Sequence, residues 1–409
     1  MKEKLFLSPS MKKTQLSGTD LIHGDHTFSY YKGAGGPVAP PISVSATFRS
    51  PHPDTNSTHY TKMDNRNPER HLYSRYTQDV STRAEHILSK ILNGYAITYT
   101  SGVNAAFAAL MQYHPKRIAF REIYLGCLVG IEIYRKSRPE VELVDLDADF
   151  KPGDLCWIET PSNPEGESKD IQYYANKVHK AGGKLVVDST FGPPPLQDPF
   201  QFGADCVMHS GTKYLGGHSD LLCGVLVVKT AEEWNELHHT RTYTGNVMGS
   251  LESWLLLRSL KTLHLRVARQ SESATALAQW LRNLSKTPKD QVFDGVPGGI
   301  VTKVWHSSLQ EADARGFHPK NQMTGGFNAT FSIEVANTRI ASKLPHELKY
   351  FMPATSLGAV ESLVEYRADT DSRVNAKLVR FSIGVEELED LKADLRQAFQ
   401  KLGSAQAKL

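Results

Sequence analysis

The sequence predicts an α/β fold. It has a large domain with a mostly parallel sheet wrapped by helices, then a smaller C-terminal α/β domain. Three observations lead there. Strand-like and helix-like segments alternate from about residue 95. The chain has 409 residues, enough for two or three packed layers and two domains. A long helical run, Trp254 to Leu284, leads into a second set of apolar strands.

Residues 1 to about 38 are polar, with a glycine-rich stretch at Gly33–Gly36, and read as an arm rather than a core element. Pro40 to Phe48 alternates apolar and polar residues, as a short strand or extended segment does. Ser50 to Arg70 is rich in Pro, Asn and Asp and reads as a long loop. Thr82 to Leu92 has helical spacing. The alternation then runs strand Ala96–Thr100, helix Val103–Tyr113, strands Arg117–Phe120, Val141–Val144 and Leu155–Glu159, and helix Ile171–Ala181. Strands Leu185–Asp188, Asp205–His209 and Gly224–Lys229 follow. Strands Gly326–Val335 and Leu378–Ile383 and a final amphipathic helix, Leu388–Leu402, belong to the second domain. The expected division is an N-terminal arm at 1–60, a first domain at 61–264 and a C-terminal domain at 265–409.

Composition excludes several classes. Lys and Arg number 47 against 44 Asp and Glu, a net charge of +3, which argues against a dedicated nucleic-acid surface. No apolar run is long enough for a transmembrane helix, so no membrane partner is expected. Met1 to Pro9 has too short an apolar core for a signal peptide. Cys127, Cys156, Cys206 and Cys223 are widely spaced in apolar runs. They read as buried thiols of a reducing, cytoplasmic compartment, not as a disulfide or zinc framework, and no metal site is expected. The chain ends Ala407-Lys408-Leu409, close to the Ser-Lys-Leu peroxisomal address, but an ordinary frayed tail is the preferred reading.

The chemistry concentrates in Val187 to Asp220. Asp188 ends one apolar strand, and a second strand leads into Ser210-Gly211-Thr212-Lys213. Alone, a lysine after a strand is a solvated residue and an aspartate at a strand end is a turn former. Together they are the groups that hold pyridoxal 5'-phosphate. Lys213 can form the Schiff base, Asp188 can keep the ring nitrogen protonated, and Ser210 and Thr212 can bind the phosphate. A lysine among cationic groups in a poorly solvated pocket also has a lowered pKa, which suits a base near neutral pH. Ser101-Gly102-Val103 sits where a strand hands over to a helix, and the free N–H groups there suit a phosphate.

This segment resembles the cystathionine gamma-synthase-like group, the Cys/Met metabolism family of pyridoxal-phosphate enzymes. The resemblance rests on Asp188-Ser189-Thr190-Phe191, Gly203-Ala204-Asp205 and His209 to Asp220, and extends from about Pro40 to about Phe399. It implies the aspartate-aminotransferase-like architecture, fold type I, with 61–264 as the cofactor-binding domain. It carries over Gly102 and Val103 to the cofactor phosphate. Tyr73-Ser74-Arg75 resembles a Tyr-Ser-Arg contributed to the phosphate by a neighbouring subunit, so Tyr73 and Arg75 imply at least a dimer and the family a homotetramer. Tyr124 is the choice for the aromatic residue that stacks on the ring and acts with Lys213 in catalysis. The family's Tyr-Gly-Gly-Thr reads Tyr124-Leu125-Gly126-Cys127 here. Glu159 to Pro164 resembles a Glu-Thr-Pro-x-Asn-Pro loop, which makes Asn163 a cofactor or substrate contact. Ser356 lies in a Ser-Leu-Gly-Ala match, and Arg380 matches the arginine for the substrate α-carboxylate.

The resemblance implies small amino-acid substrates. Many relatives have a glutamate just before Ser-Leu-Gly, able to meet a distal ammonium. Here that place holds Thr355, a substrate-contact candidate whose neutral hydroxyl attracts an ammonium far less. The segment from Val364 to Asp369 also runs quickly to Arg380. The expected reaction is γ-replacement on an O-acylated homoserine, with cysteine, another thiol or a carbon acid as nucleophile. The alternative is a cystathionine β- or γ-lyase. A cofactor-binding scaffold without catalysis is disfavoured by Lys213, Asp188 and Arg380.

Overall fold

The computed structural model describes residues 17–25, 37–55 and 57–406. Met1–Pro9, the Gly33–Gly36 stretch and the Ala-Lys-Leu terminus lie outside the described residues.

A seven-stranded sheet forms the centre. Its strands are β1 (Tyr95–Tyr99), β2 (Arg117–Ala119), β3 (Glu142–Val144), β4 (Asp154–Glu159), β5 (Lys184–Asp188), β6 (Cys206–Ser210) and β7 (Gly224–Val228). The spatial order is β1-β7-β6-β5-β4-β2-β3. Strands β6, β5, β4, β2 and β3 pair in parallel. Strand β7 runs against both neighbours, β1 and β6.

The inner strands are largely apolar away from their ends, as Leu155–Ile158 of β4 and Leu185–Val187 of β5 are, because both faces are covered. The period-two alternation then splits each strand between two cores. Leu155 and Trp157 of β4 enter one core, with Val186 of β5; Cys156 and Ile158 enter the other, with Leu185 and Val187. The first core is closed by α3 (Gly102–Tyr113), α4 (Leu125–Lys136) and α6 (Ala231–Thr244) through Ala105, Ala109, Ile131 and Trp234. The other meets α2 (Asp79–Ile91), α5 (Ile171–Lys180), α7 (Ser250–Leu260) and α8 (Leu263–Ser285) through Leu88, Val178, Leu257 and Leu277.

This second core continues into the C-terminal sheet. After a small β8 (Val292–Phe293) and β9 (Val296–Pro297) pair come β10 (Val301–Trp305), β11 (Thr330–Val335), β12 (Met352–Pro353), β13 (Leu363–Tyr366) and β14 (Leu378–Ser382). Their order is β10-β11-β14-β13-β12. Helices α9 (Thr338–Glu347) and α10 (Leu388–Gln406) complete this layer.

Three readings need correction or narrowing. The run Trp254–Leu284 is two helices, broken around Lys261 and Thr262. Thr262 donates its hydroxyl to Ser259 O and accepts from Arg266 Nε, so it terminates one helix and ties down the next. Of the two readings of Pro40–Phe48 the strand is not formed, which leaves the extended segment; its one ladder contact is a bridge from Thr47 to Tyr73. The N-terminal region is not wholly an arm. Helix α1 (Gly18–His23) inserts Leu21, fully buried, beside α2, and Arg83 pairs with Asp25 at 3.1 Å.

Candidate active site

The carboxyl ends of β1, β4, β5 and β6 converge, as open parallel sheets favour for ligands. The loop before β13 and Arg380 of β14 close the other side. Between them is a cavity of about 710 Å³ lined by Gly102, Val103, Tyr124, Asn163, Asp188, Ser210, Thr212, Lys213, Thr355, Ser356 and Arg380. Of the residues singled out from sequence, Tyr73 and Arg75 lie outside it.

Glu159 and Asp188 are directly paired residues at the ends of the neighbouring strands β4 and β5. Both are buried, and burial holds both carboxyls above the usual range; for Glu159 the Asp188 charge adds to the effect. Asp188 Oδ1 accepts from the Thr190 hydroxyl at 2.6 Å and the Thr190 N–H at 3.0 Å. The same hydroxyl accepts from Ser210 N–H at 2.9 Å, which ties the ends of β5 and β6 together. Asp188 Oδ2 has no hydrogen-bond partner among the described residues, and Asp188 lines the cavity.

Lys213 stands in the turn after β6. Its Nζ donates to Ser356 Oγ at 2.7 Å. Burial first, then the Arg380 charge, pulls its pKa down to about 8. Ser356 has a positive φ of 85°, a conformation a side chain rarely adopts. Arg380 holds it from behind, donating to Ser356 O at 3.0 Å. The same guanidinium donates to Asn163 Oδ1 at 3.1 Å and pairs with Glu365 at 2.5 Å. Burial, opposed by the Glu365 charge, lowers the Arg380 pKa to about 10.

Glu159 ties together the loops that follow β2 and β4. One oxygen accepts from Tyr124 N–H at 2.8 Å, the other from Asn163 N–H at 2.6 Å. The sequence pattern alone gives Glu159 no role, although its position ending β4 as Asp188 ends β5 is a signal for one. Nothing local in the sequence marks Arg367 and Thr370 as cavity residues, or Glu365 as the partner behind Arg380.

At the N-terminus of α3 the Ser101 hydroxyl accepts from Asn104 N–H at 3.2 Å. The N–H groups of Gly102 and Val103 remain outside the helical bonding pattern. A Cβ on Gly102 would press on the Ser210 side chain at 3.0 Å, so glycine keeps this end open beside that hydroxyl. The Ser210 hydroxyl has no partner among the described residues. Thr212 is more committed, since its oxygen accepts from Cys223 N–H at 2.9 Å. An amine, an unpartnered buried carboxylate oxygen and free N–H and O–H donors fit the aldehyde, ring nitrogen and phosphate of pyridoxal phosphate.

Tyr124 is at the mouth, 46% exposed. Arg75 donates to Thr242 O at 2.9 Å and lies over the rings of Tyr73, Tyr76 and Tyr243. It lines a separate cavity with Met248 and Gly249. Tyr73 is exposed.

This fold and this cavity define a pyridoxal-phosphate-dependent enzyme of fold type I. The chain belongs to the Cys/Met metabolism family of PLP-dependent enzymes, whose model matches residues 18–400. It is 31% identical to a cystathionine gamma-lyase of Bacillus subtilis, over 96% of this chain and 100% of that protein. It is 36% identical to a cystathionine gamma-synthase of Mycobacterium tuberculosis, over 63% of this chain and 66% of that protein. A methionine gamma-lyase structure from Micromonospora echinospora superposes with a TM-score of 0.78 at 29% identity, covering 95% of this chain and 100% of that one. Among the described residues no helix is long and apolar enough to cross a membrane, and no cluster could hold a metal ion.

Proposed function

We propose that this enzyme performs γ-replacement on an O-acylated L-homoserine, with a thiol such as cysteine, or a carbon acid, as the incoming nucleophile. One observation carries the choice of replacement. Thr355, exposed and neutral, stands on the seam between the 710 Å³ cavity and a second cavity of about 520 Å³. The two share Thr212, Leu222, Thr355 and Ser356. A second reactant has room to approach there, and no carboxylate at position 355 holds a distal ammonium of cystathionine.

Bound pyridoxal phosphate supplies the electron sink that lets the substrate α C–H bond ionise. In this reading Asp188 keeps the ring nitrogen protonated through its unpartnered oxygen. Gly102, Val103, Ser210 and Thr212 hold the phosphate, and Tyr124 covers the ring. Arg380, oriented by Asn163 and Glu365, takes the substrate α-carboxylate and so aims the α C–H bond at Lys213 Nζ. Lys213, its pKa lowered, moves the proton, and Ser356 fixes where its amine sits.

Tyr73 and Arg75 serve the cavity of a neighbouring copy, making the working unit at least a dimer and, by family resemblance, a homotetramer. Their place outside their own cavity supports this, as do the exposed Val103, Leu125 and Val129 on its rim. Mixing Arg75→Ala and Lys213→Ala subunits tests it: each alone is inactive and the mixture regains activity. No regain sinks the shared site.

Elimination is the second reading, favoured by the lyase names of relatives such as the Bacillus subtilis protein. The deciding experiment offers the holoenzyme O-acetyl- or O-succinyl-homoserine with and without cysteine, and separately cystathionine. A new amino acid formed only with the nucleophile supports replacement. A 2-oxo acid and ammonia from cystathionine, with no replacement product, overturns it.

A further inference from the structure

We propose that Arg367 forms a subsite for a second carboxylate, so that this cavity favours an amino-acid ligand carrying an acidic group beyond its α-carboxylate. The proposal rests on the reading of the cavity as an amino-acid site.

Arg367 lines the same cavity as Arg380, Thr355 and Thr370. Its side chain is 10% exposed, so its charge is largely withdrawn from solvent. Buried arginines are usually held by close bonds to their partners, as Arg241 is by Glu85 and Thr98. Arg367 is held loosely. Its Nη1 donates to Glu365 at 3.2 Å and to the Thr370 hydroxyl at 3.1 Å, and its Nη2 reaches Asp371 only at 3.4 Å. Its Nε is buried and has no hydrogen-bond partner among the described residues.

Both carboxylates that face Arg367 are held more closely by other arginines. Glu365 lies 2.5 Å from Arg380. Asp371 accepts a fork from Arg373, at 2.8 Å from Nε and 2.7 Å from Nη2. Three guanidinium groups therefore share two carboxylates, and Arg367 and Arg380 are the two largely closed to water. A planar guanidinium on the cavity wall, held by its partners only at 3.1 Å or more, is suited to a carboxylate. Thr355, nearby on the cavity wall, has no charge to repel one. Arg367 and Arg380 stand on opposite oxygens of Glu365. The α-carboxylate and the second acid would thus be read by two arginines braced on one glutamate.

The test titrates holoenzyme calorimetrically with L-2-aminoadipate and with L-norleucine, its neutral counterpart of equal chain length. Wild type is expected to bind the aminoadipate at least about tenfold more tightly. Arg367→Met is expected to lose most of that preference while still binding norleucine, which shows that the site is intact. Arg367→Lys, the milder change, is expected to fall between. An unchanged ratio in both variants, or a wild-type preference for norleucine, overturns the subsite. If wild type binds neither amino acid, the amino-acid-site reading fails and the subsite with it.

A kinetic arm locates the acid. A KM raised in Arg367→Met for O-succinyl- but not O-acetyl-homoserine places it on the acyl group. A raised KM for an acidic thiol alone places it on the nucleophile. No change in either overturns the proposal.

Discussion

Lys213 and Ser356, 143 residues apart, meet at 2.7 Å between Nζ and Oγ, and this contact joins the two sheets across the cavity. Its two ends are held differently. Lys213 follows a buried strand, whereas Ser356 is kept at φ 85° with its carbonyl bonded to Arg380.

Replacing Lys213 with Ala removes the amine and the proton carrier together. Turnover is expected to fall by at least about 10³-fold, given the usual share of a positioned acid–base group. Ser356→Ala keeps the amine but frees its position. It is expected to lower kcat by less, with KM little changed, in steady-state kinetics.

The Lys213 pKa of about 8 has a predicted pH signature. The amine acts as a base when neutral, so α-hydrogen exchange of a bound amino acid should rise through about pH 8 and level off. The Arg380 charge lowers this pKa and the Glu365 charge raises it. Glu365→Gln should therefore move the profile to lower pH, and a shift the other way contradicts this reading of the site.

Arg380→Lys keeps a charge but loses the fork. The loss of a hydrogen bond to a charged group costs about 1.5–3 kcal/mol, or roughly 10- to 150-fold in kcat/KM. Competition by simple α-carboxylates reads the same site and should weaken in parallel.

The paired carboxyls of Glu159 and Asp188 bear on stability. Burial raises both in the folded chain, so it keeps protons that the unfolded chain releases above about pH 4. Their contribution is full below that value and is lost as pH rises through the folded pKa values. Cofactor-free protein should show a Tm falling over this range, and Asp188→Asn should flatten the slope. Added pyridoxal phosphate should stabilise wild type more at neutral pH than at pH 5.

Gly217 tests the architecture behind the site. Its φ is +68°, and a Cβ there would run into the Arg266 guanidinium, which donates to Tyr214 O at 2.8 Å. Gly217→Ala should destabilise by at least about 1–3 kcal/mol, measured by denaturant unfolding.

Much of this was legible in the chain. Asp188 and the Ser210–Lys213 turn are local patterns on buried strands, and the strand–helix alternation placed them at one sheet edge. Long-range relations were not legible. Glu365 reads as an ordinary acid in Val364-Glu365-Tyr366, and only the β13–β14 pairing, which sets Glu365 opposite Arg380, gives it a partner. Strand β7 carries no mark of its reversed direction, because a fully buried strand is apolar either way. Tyr73 and Arg75 resist assignment within one chain because their own cavity does not include them.

The most direct test of the central claim is borohydride reduction of the holoenzyme followed by peptide mass mapping. One pyridoxyl group, carried by Lys213, is expected, and none in Lys213→Ala. A label on another lysine, or no label on wild type, contradicts it.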